Sequence, residues 1–242
     1  MSAPPRLFVD HDLAAGGDVP LSADQSHYVL NVMRLLTGDP VLLFNGRHGE
    51  WQANVSVASK RNASVVPSRR TRPQSTPPDL WLLFAPIKRQ RIDLMAEKAA
   101  ELGVRRLLPV MTERTHVERV NCERLRAHAI EAAEQCGLLS VPEVGVPQPL
   151  RMVLEEWPKD RRLLFCDEQG PAPPALEALR DRPPQPWAVL VGPEGGFSPG
   201  ERDLLLALPT AVAVSLGPRI LRADTAAVAA LALWQATLGD WT

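Results

Sequence analysis

Between residues 189 and 228 the sequence runs twice from a short apolar segment into a glycine loop and on into a helical pattern. The stretch reads VLVGPEGGFSPGERDLLLALPTAVAVSLGPRILRADTAAV, with Gly192-Pro193 and Gly217-Pro218 opening the two loops. A strand, a glycine loop and a helix in succession are how open α/β proteins present backbone to a ligand. Two such loops this close together imply one pocket built from both. The surrounding chain then has to supply an α/β sheet that carries them.

From Leu80 onward the sequence alternates accordingly. Residues 81–85 form an apolar run, and Ile92, Met95, Ala96, Ala99 and Leu102 then recur at helical spacing before Gly103, a natural C′ residue. Residues 107–110 give the next strand, and Asn121 can cap a helix through Gln135. Residues 163–166, 187–191 and 212–216 are three further strands. Ser198-Pro199-Gly200-Glu201 combines an N-cap Ser, Pro at N1 and Glu at N3, and a last helix runs from about Thr225 to Leu238. Such alternation predicts a largely parallel sheet covered on both faces, with ligands beyond the carboxyl ends of its strands. Three strand ends carry distinctive residues: Asp167-Glu168, 192–196 and 217–222.

Residues 1 to about 67 read differently. Ser22 and Gln25 form a capping-box pattern opening a short helix with Val29, Leu30, Val32 and Met33. Residues 7–9, 41–44, the alternating Trp51, Ala53, Val55 and Val57, and 64–66 are short strands joined by tight turns, which predicts a small β-barrel. Residues 67–78 hold prolines and arginines without apolar periodicity and read as a stiff, extended linker. The expected division is a barrel over 1–72, a Pro-rich link over 73–78 and the α/β domain over 79–242.

The formal net charge is −1, so no global field attracts a polyanion. The charge is uneven, however: residues 51–78 contain no acidic residue but carry Lys60, Arg61, Arg69, Arg70 and Arg72. Such a stripe is either a local polyanion site or a solvated linker. The three cysteines, Cys122, Cys136 and Cys166, have no metal-type spacing, and no metal is expected. No apolar run is long enough to span a bilayer, which points to a cytoplasmic protein with reduced thiols. His11, His27, His48, His116 and His128 stand in unconnected contexts and read as structural or exposed.

Neither glycine loop is a phosphate loop. Pro193 removes a backbone donor, and Glu194 places negative charge where phosphate needs positive. The loop suits a neutral or cationic ligand lying against backbone, such as an adenine ring with a sulfonium nearby. Arg219 and Arg222, three apart at a helix start, can share a face and bind phosphate or a base edge.

The segment 191–198, the segment 216–222 and the following Asp224-Thr225-Ala226 resemble the glycine and LGxRILRxET-A segments of the bacterial RsmE-type 16S ribosomal RNA (uridine-N3) methyltransferases of the SPOUT superfamily. Glu97-Lys98, 101–104, Glu113-Arg114, 134–136 and 141–143 add to the resemblance, and 27–46 is similar to the family's PUA-like barrel. The resemblance implies a deep trefoil knot in the α/β domain, which connection rules alone would not have predicted. It also implies S-adenosyl-L-methionine as cofactor, a homodimer, and 16S rRNA of the small ribosomal subunit as partner, with no DNA and no membrane. The implied cofactor contacts are Asp167, Glu168, Gly192, Pro193, Glu194, Gly195, Gly196, Leu216, Gly217, Pro218, Ile220 and Leu221. Arg222 is the expected catalytic residue, with Glu194 or Asp224 holding the loop or assisting proton removal. RNA contacts are expected at Lys60, Arg61, Arg69, Arg70, Arg72, Lys88, Arg114 and Arg219.

The chain departs from the family pattern in three places. Leu138 and Leu139 follow Gly137 where an arginine is usual, residues 117–130 form a shorter segment than is common, and Asp224 replaces a Glu. Two alternatives are another RNA methylation on the same fold, such as ribose 2′-O-methylation, and a non-catalytic RNA-binding or assembly protein.

Overall fold

The structure, a computed structural model, describes residues 4–58, 62–183 and 185–241. Contacts divide the chain into two compact units, 1–76 with 133–140, and 77–132 with 141–242.

The first unit holds β1 (Arg6–Phe8), β2 (Val19–Pro20), α1 (Ala23–His27), β3 (Pro40–Phe44), β4 (Glu50–Ala58) and β5 (Ala63–Arg72). Its sheet runs β1-β3-β4-β5-β2, with β1 parallel to β3 and the other pairs antiparallel. It is a curled, open sheet, with β1 and β2 at the two edges. The capping box forms as expected: Ser22 Oγ accepts from Gln25 N (3.2 Å), and Gln25 Oε1 accepts from Ser22 N (3.1 Å). The helix then widens into a π-turn over Tyr28–Val32, closed by Met33 N donating to Tyr28 O (2.9 Å). Val29 faces the core with Leu7, Val41, Leu43, Val55 and Val65, while Val32 is exposed.

Two expectations change here. Residues 67–72 are not linker but the second half of β5, paired with β4. Pro67, which has no N–H for the ladder, sits beside a register shift of β4 between Gln52 and Ala53, where a strand proline is tolerated. Residues 133–140 also join this unit, which a linear reading of domains did not anticipate. Arg6 explains it by donating to the carbonyls of Ala133 (2.8 Å) and Glu134 (2.9 Å), freed acceptors of a helix C-terminus, and to that of Leu138 (2.7 Å) just beyond it.

The second unit contains β6 (Leu80–Phe84), α2 (Arg89–Glu101), β7 (Arg106–Met111), α3 (Cys122–Cys136, whose last turn is in the first unit), β8 (Glu143–Val144), β9 (Gln148–Pro149) and α4 (Leu150–Glu155). It continues with β10 (Arg162–Cys166), α5 (Ala175–Leu179), β11 (Trp187–Val191), α6 (Pro199–Ala207), β12 (Ala211–Val214) and α7 (Ala223–Leu238). Every pair in its seven-stranded sheet is parallel, in the order β12-β10-β11-β6-β7-β8, with β9 also on β7. The sheet is buried on both faces, as its continuous apolar strands require. Leu80, Leu82, Phe84, Trp187 and Val189 pack with Met95, Ala99, Ala227, Ala230 and Trp234 of α2 and α7. Leu83, Leu163, Phe165 and Leu190 face Val153 and Leu205 of α4 and α6.

The chain leaves β10 for β11 on one side and later returns to β12 on the other. This is a topological switch point, and the crevice at the carboxyl ends of these strands is where such sheets bind ligands. No helix among the described residues is long and apolar enough to cross a membrane.

Candidate active site

The three loops leaving β10, β11 and β12 enclose a cavity of about 370 Å³, a size suited to a small-molecule ligand. Asp167, Glu168, Gln169 and Gly170 line it from the first loop, Gly192 to Glu194, Gly196 and Phe197 from the second, and residues 215–222 from the third. Cys166, Val191, Val214, Ala223 and Ala226 complete the wall.

Hydrogen bonds tie the loops to one another. Gln169 Nε2 donates to Phe197 O (3.3 Å), joining the first loop to the second. Ser215 N donates to Pro173 O (2.8 Å), and Ala175 N donates to Ser215 O (3.0 Å), joining the third to the first. Within the second loop Gly196 N closes a turn on Pro193 O (2.9 Å). Gly196 has φ +67°, an angle that favours glycine, and a Cβ there would meet Glu168 Oε1, so that side chain would have to shift. Gly217 has φ +107° but open space around it, so only its backbone angle favours glycine.

Part of the charge around the cavity is held in pairs. Asp167 is buried, and its carboxylate accepts from Arg202 Nη2 (2.8 Å) and Nε (3.0 Å) and from Gln169 N (3.2 Å). These bonds hold the Arg202 guanidinium above its ordinary pKa range. Glu194 lies 3.6 Å from Arg91 Nη1 of α2. Arg114 Nη1 donates to Gly195 O (2.7 Å). Glu201 is buried; its Oε2 accepts from Ser198 N (2.9 Å) and its Oε1 from Glu113 N (2.8 Å). Arg219 and Arg222 line the cavity, are exposed, and have no side-chain partner among the described residues.

Comparison with known proteins decides what this arrangement is. The model of the RNA methyltransferase domain family matches residues 74–235, and that of the RNA methyltransferase PUA domain matches 21–68. The ribosomal RNA small subunit methyltransferase E of Rickettsia conorii is 31% identical over 94% of this chain and 93% of its own. The chain belongs to this methyltransferase family.

The protein of the same name from Synechocystis is 30% identical over 96% of this chain and 78% of its own. The crystal structure of ribosomal RNA small subunit methyltransferase E from Neisseria gonorrhoeae bound to S-adenosyl methionine superposes with a TM-score of 0.87. It is 29% identical and covers 99% of this chain and 100% of its own. The fold class is accordingly an α/β RNA methyltransferase domain with a parallel sheet, preceded by a PUA-like sheet.

Within this methyltransferase fold, Glu168, Gly192, Pro193, Glu194, Gly196, Leu216, Gly217, Pro218, Ile220, Leu221, Arg219 and Arg222 all line the one cavity. Gly195 turns its carbonyl toward Arg114 instead. Asp167 lines the cavity, but its carboxylate is engaged by Arg202, which leaves it a loop-holding part. Asp224 is not among the lining residues; it sits in the first turn of α7, where its Oδ1 accepts from Thr225 N (3.0 Å). Lys88 is the residue before α2 and is exposed.

In the first unit Arg69 donates to Gln52 Oε1 (2.9 Å), and Arg72 donates to Gly137 O (2.8 Å). Arg70 is exposed with no side-chain partner among the described residues. Lys60 and Arg61 lie outside the described residues. Sequence reasoning missed Arg202 and Arg91, each of which acts through a contact to a residue distant in sequence. The capping role of Glu201 was legible in Ser198-Pro199-Gly200-Glu201, but its bond to Glu113 N was not.

Proposed function

We propose that this chain methylates N3 of uridine in 16S ribosomal RNA, with S-adenosyl-L-methionine as methyl donor. The observation that carries the reading is the cavity at the switch point, built from three loops of which the first is bonded to both others, with two arginines on its wall that have no side-chain partner among the described residues. The residues present fit that cofactor. The lining carboxylates Glu168 and Glu194 favour a cation over a phosphate, and the glycine backbone permits close approach to a flat ring. Backbone of 192–196 and 216–221 would hold the adenosine part, with Glu168 near its polar edge. Bound there, S-adenosylmethionine supplies an electrophilic methyl group on a sulfonium.

The task left to the protein is orientation and charge. Methylation at N3 would replace the N3 proton, which passes to water, and the negative charge that N3 carries once deprotonated spreads to the flanking carbonyl oxygens. Arg222, at the start of α7 and without a side-chain partner among the described residues, is the group we assign to those oxygens, with Arg219 beside it for phosphate. Glu194 is half-exposed and paired with Arg91, which favours holding the loop over taking the proton. Asp224 stands outside the lining and serves the N-terminus of α7.

The first unit is assigned to RNA phosphates through Arg69, Arg70 and Arg72. Activity as a homodimer in the cytoplasm belongs to the same reading; Ile220 and Val228 are exposed apolar side chains that a second copy would cover. Single-turnover transfer to small ribosomal subunits tests the assignment. Arg222→Ala is expected to lower the rate at saturating cofactor on the order of 100-fold, and an unchanged rate removes Arg222 from the chemistry.

A further inference from the structure

The loop after β7 contributes no residue to the cavity wall, yet its neighbouring residues Glu113 and Arg114 tie it to the segment that holds the glycine loop. Glu201 shares its two carboxylate oxygens between Glu113 N of the first and Ser198 N of the second. Arg114 then reaches across to Gly195 O at 2.7 Å. Its aliphatic stem follows the same glycine, since a Cβ on Gly195 would lie 3.6 Å from Arg114 Cδ. The latch therefore fixes both where Arg114 starts and where one edge of its guanidinium ends.

The rest of that guanidinium is uncommitted. Arg114 is exposed, and among the described residues Nη1 to Gly195 O is its one side-chain hydrogen bond. A guanidinium is a rigid plane with five donors, so one edge can hold a carbonyl while the other faces an oxyanion. A lysine ammonium has the charge but not the two-edged geometry.

Resting on the function proposed above, we propose that Arg114 couples RNA binding to cofactor binding. One edge of its guanidinium positions the Gly195 carbonyl, and the other takes a phosphate oxygen of the RNA backbone. An RNA phosphate on the outer edge holds the side chain still, which holds the glycine loop in its ligand-binding shape. Such coupling is reciprocal: RNA tightens the cofactor by the factor by which the cofactor tightens RNA. Arg114 is thus a positioning residue whose effect is read in a ratio of affinities.

The test measures the dissociation constant of labelled S-adenosylhomocysteine, which cannot transfer a methyl group, for the full-length protein alone and with saturating small ribosomal subunits. In the wild type the subunits are expected to tighten it about five-fold or more. Arg114→Ala is expected to bind it several-fold more weakly alone, and the subunits no longer to tighten it. Arg114→Lys is expected to keep the salt-dependent affinity for subunits and still lose the coupling, which a folding defect would not produce. The proposal is overturned if Arg114→Ala keeps the wild-type tightening ratio or the wild-type affinity alone. It is equally overturned if a wild type that methylates the subunits shows no tightening. A wild type that neither binds nor methylates subunits defeats the function reading instead, and the affinity of Arg114→Ala alone still decides whether Arg114 positions the loop.

Discussion

Arg202 closes on Asp167 through Nη2 and Nε, both donating to Oδ2 at 2.8 and 3.0 Å, and so joins the first turn of α6 to the loop that leaves β10. The carboxylate is buried and the guanidinium only partly so. Removing the arginine strands an anion in the protein, while removing the carboxylate leaves a cation that can reach water. Arg202→Ala is therefore expected to lower the unfolding midpoint more than Asp167→Asn. Both should slow methyl transfer, on the order of 10- to 100-fold, because the loop they hold forms one wall of the cavity. Thermal unfolding and single-turnover rates check the order. The pair raises the guanidinium pKa, so the arginine's part in it is constant across neutral and mildly alkaline pH and is lost only as pH rises above the ordinary arginine range. The difference between wild type and variants should stay flat from pH 6 to pH 9.

Two of the cavity glycines, Gly196 and Gly217, separate backbone angle from space. Alanine at Gly217 meets nothing and is expected to cost roughly 1 kcal/mol for its left-handed angle. Alanine at Gly196 adds a clash with Glu168 to the same angle, and should in addition weaken cofactor binding by about tenfold or more. Denaturant unfolding with calorimetric titration distinguishes the two. Equal effects in both measurements would show that Glu168 yields freely.

Features decided by neighbours in sequence were legible before the structure. Ser22 with Gln25, and Ser198 with Glu201, announce their helices because a capping box closes within four residues. Gly103 ends α2 at φ +72° for the same local reason. Strand β5 was half lost to a linker because its second half is held by pairing with β4, a partner that its Pro67 and arginines do not advertise. The helix α5 and the two-residue strands β8 and β9 are too short to show a period. At the site, the loops were visible as glycines and the wall arginines as Arg219 and Arg222. The pairs that set them in place, Asp167 with Arg202 and Gly195 with Arg114, join residues 35 and 81 apart and were not.

The cysteines should react in an order set by burial. Cys136 is exposed, whereas burial pushes the Cys166 thiol up from 9.0 to about 12. Alkylation at pH 8 is expected to label Cys136 first and Cys166 last, read by mass spectrometry of timed samples. A raised folded-state value means that Cys166 contributes stability that is complete below pH 9 and is lost as pH rises toward 12. Cys166→Ala should remove that part of the alkaline decline.

The arginines of β5 should differ in kind. Arg70 has no side-chain partner among the described residues, so Arg70→Ala is expected to reduce the slope of log K against log salt for RNA by roughly one unit without changing stability. Arg72 is bonded to Gly137 O and lies 3.6 Å from the buried Glu50. Arg72→Ala should therefore lower the unfolding midpoint as well. Filter binding across a salt series, with thermal unfolding of each variant, checks both.

The central claim is that this family member methylates uridine N3 of 16S ribosomal RNA at the cavity between the three loops. Incubating small ribosomal subunits with methyl-labelled S-adenosylmethionine and the full-length protein, then digesting the RNA to nucleosides, tests it most directly. The account predicts that the label elutes as N3-methyluridine from 16S RNA and falls sharply with Arg222→Ala. Label in a 2′-O-methylated nucleoside, or no label in RNA at all, would contradict it.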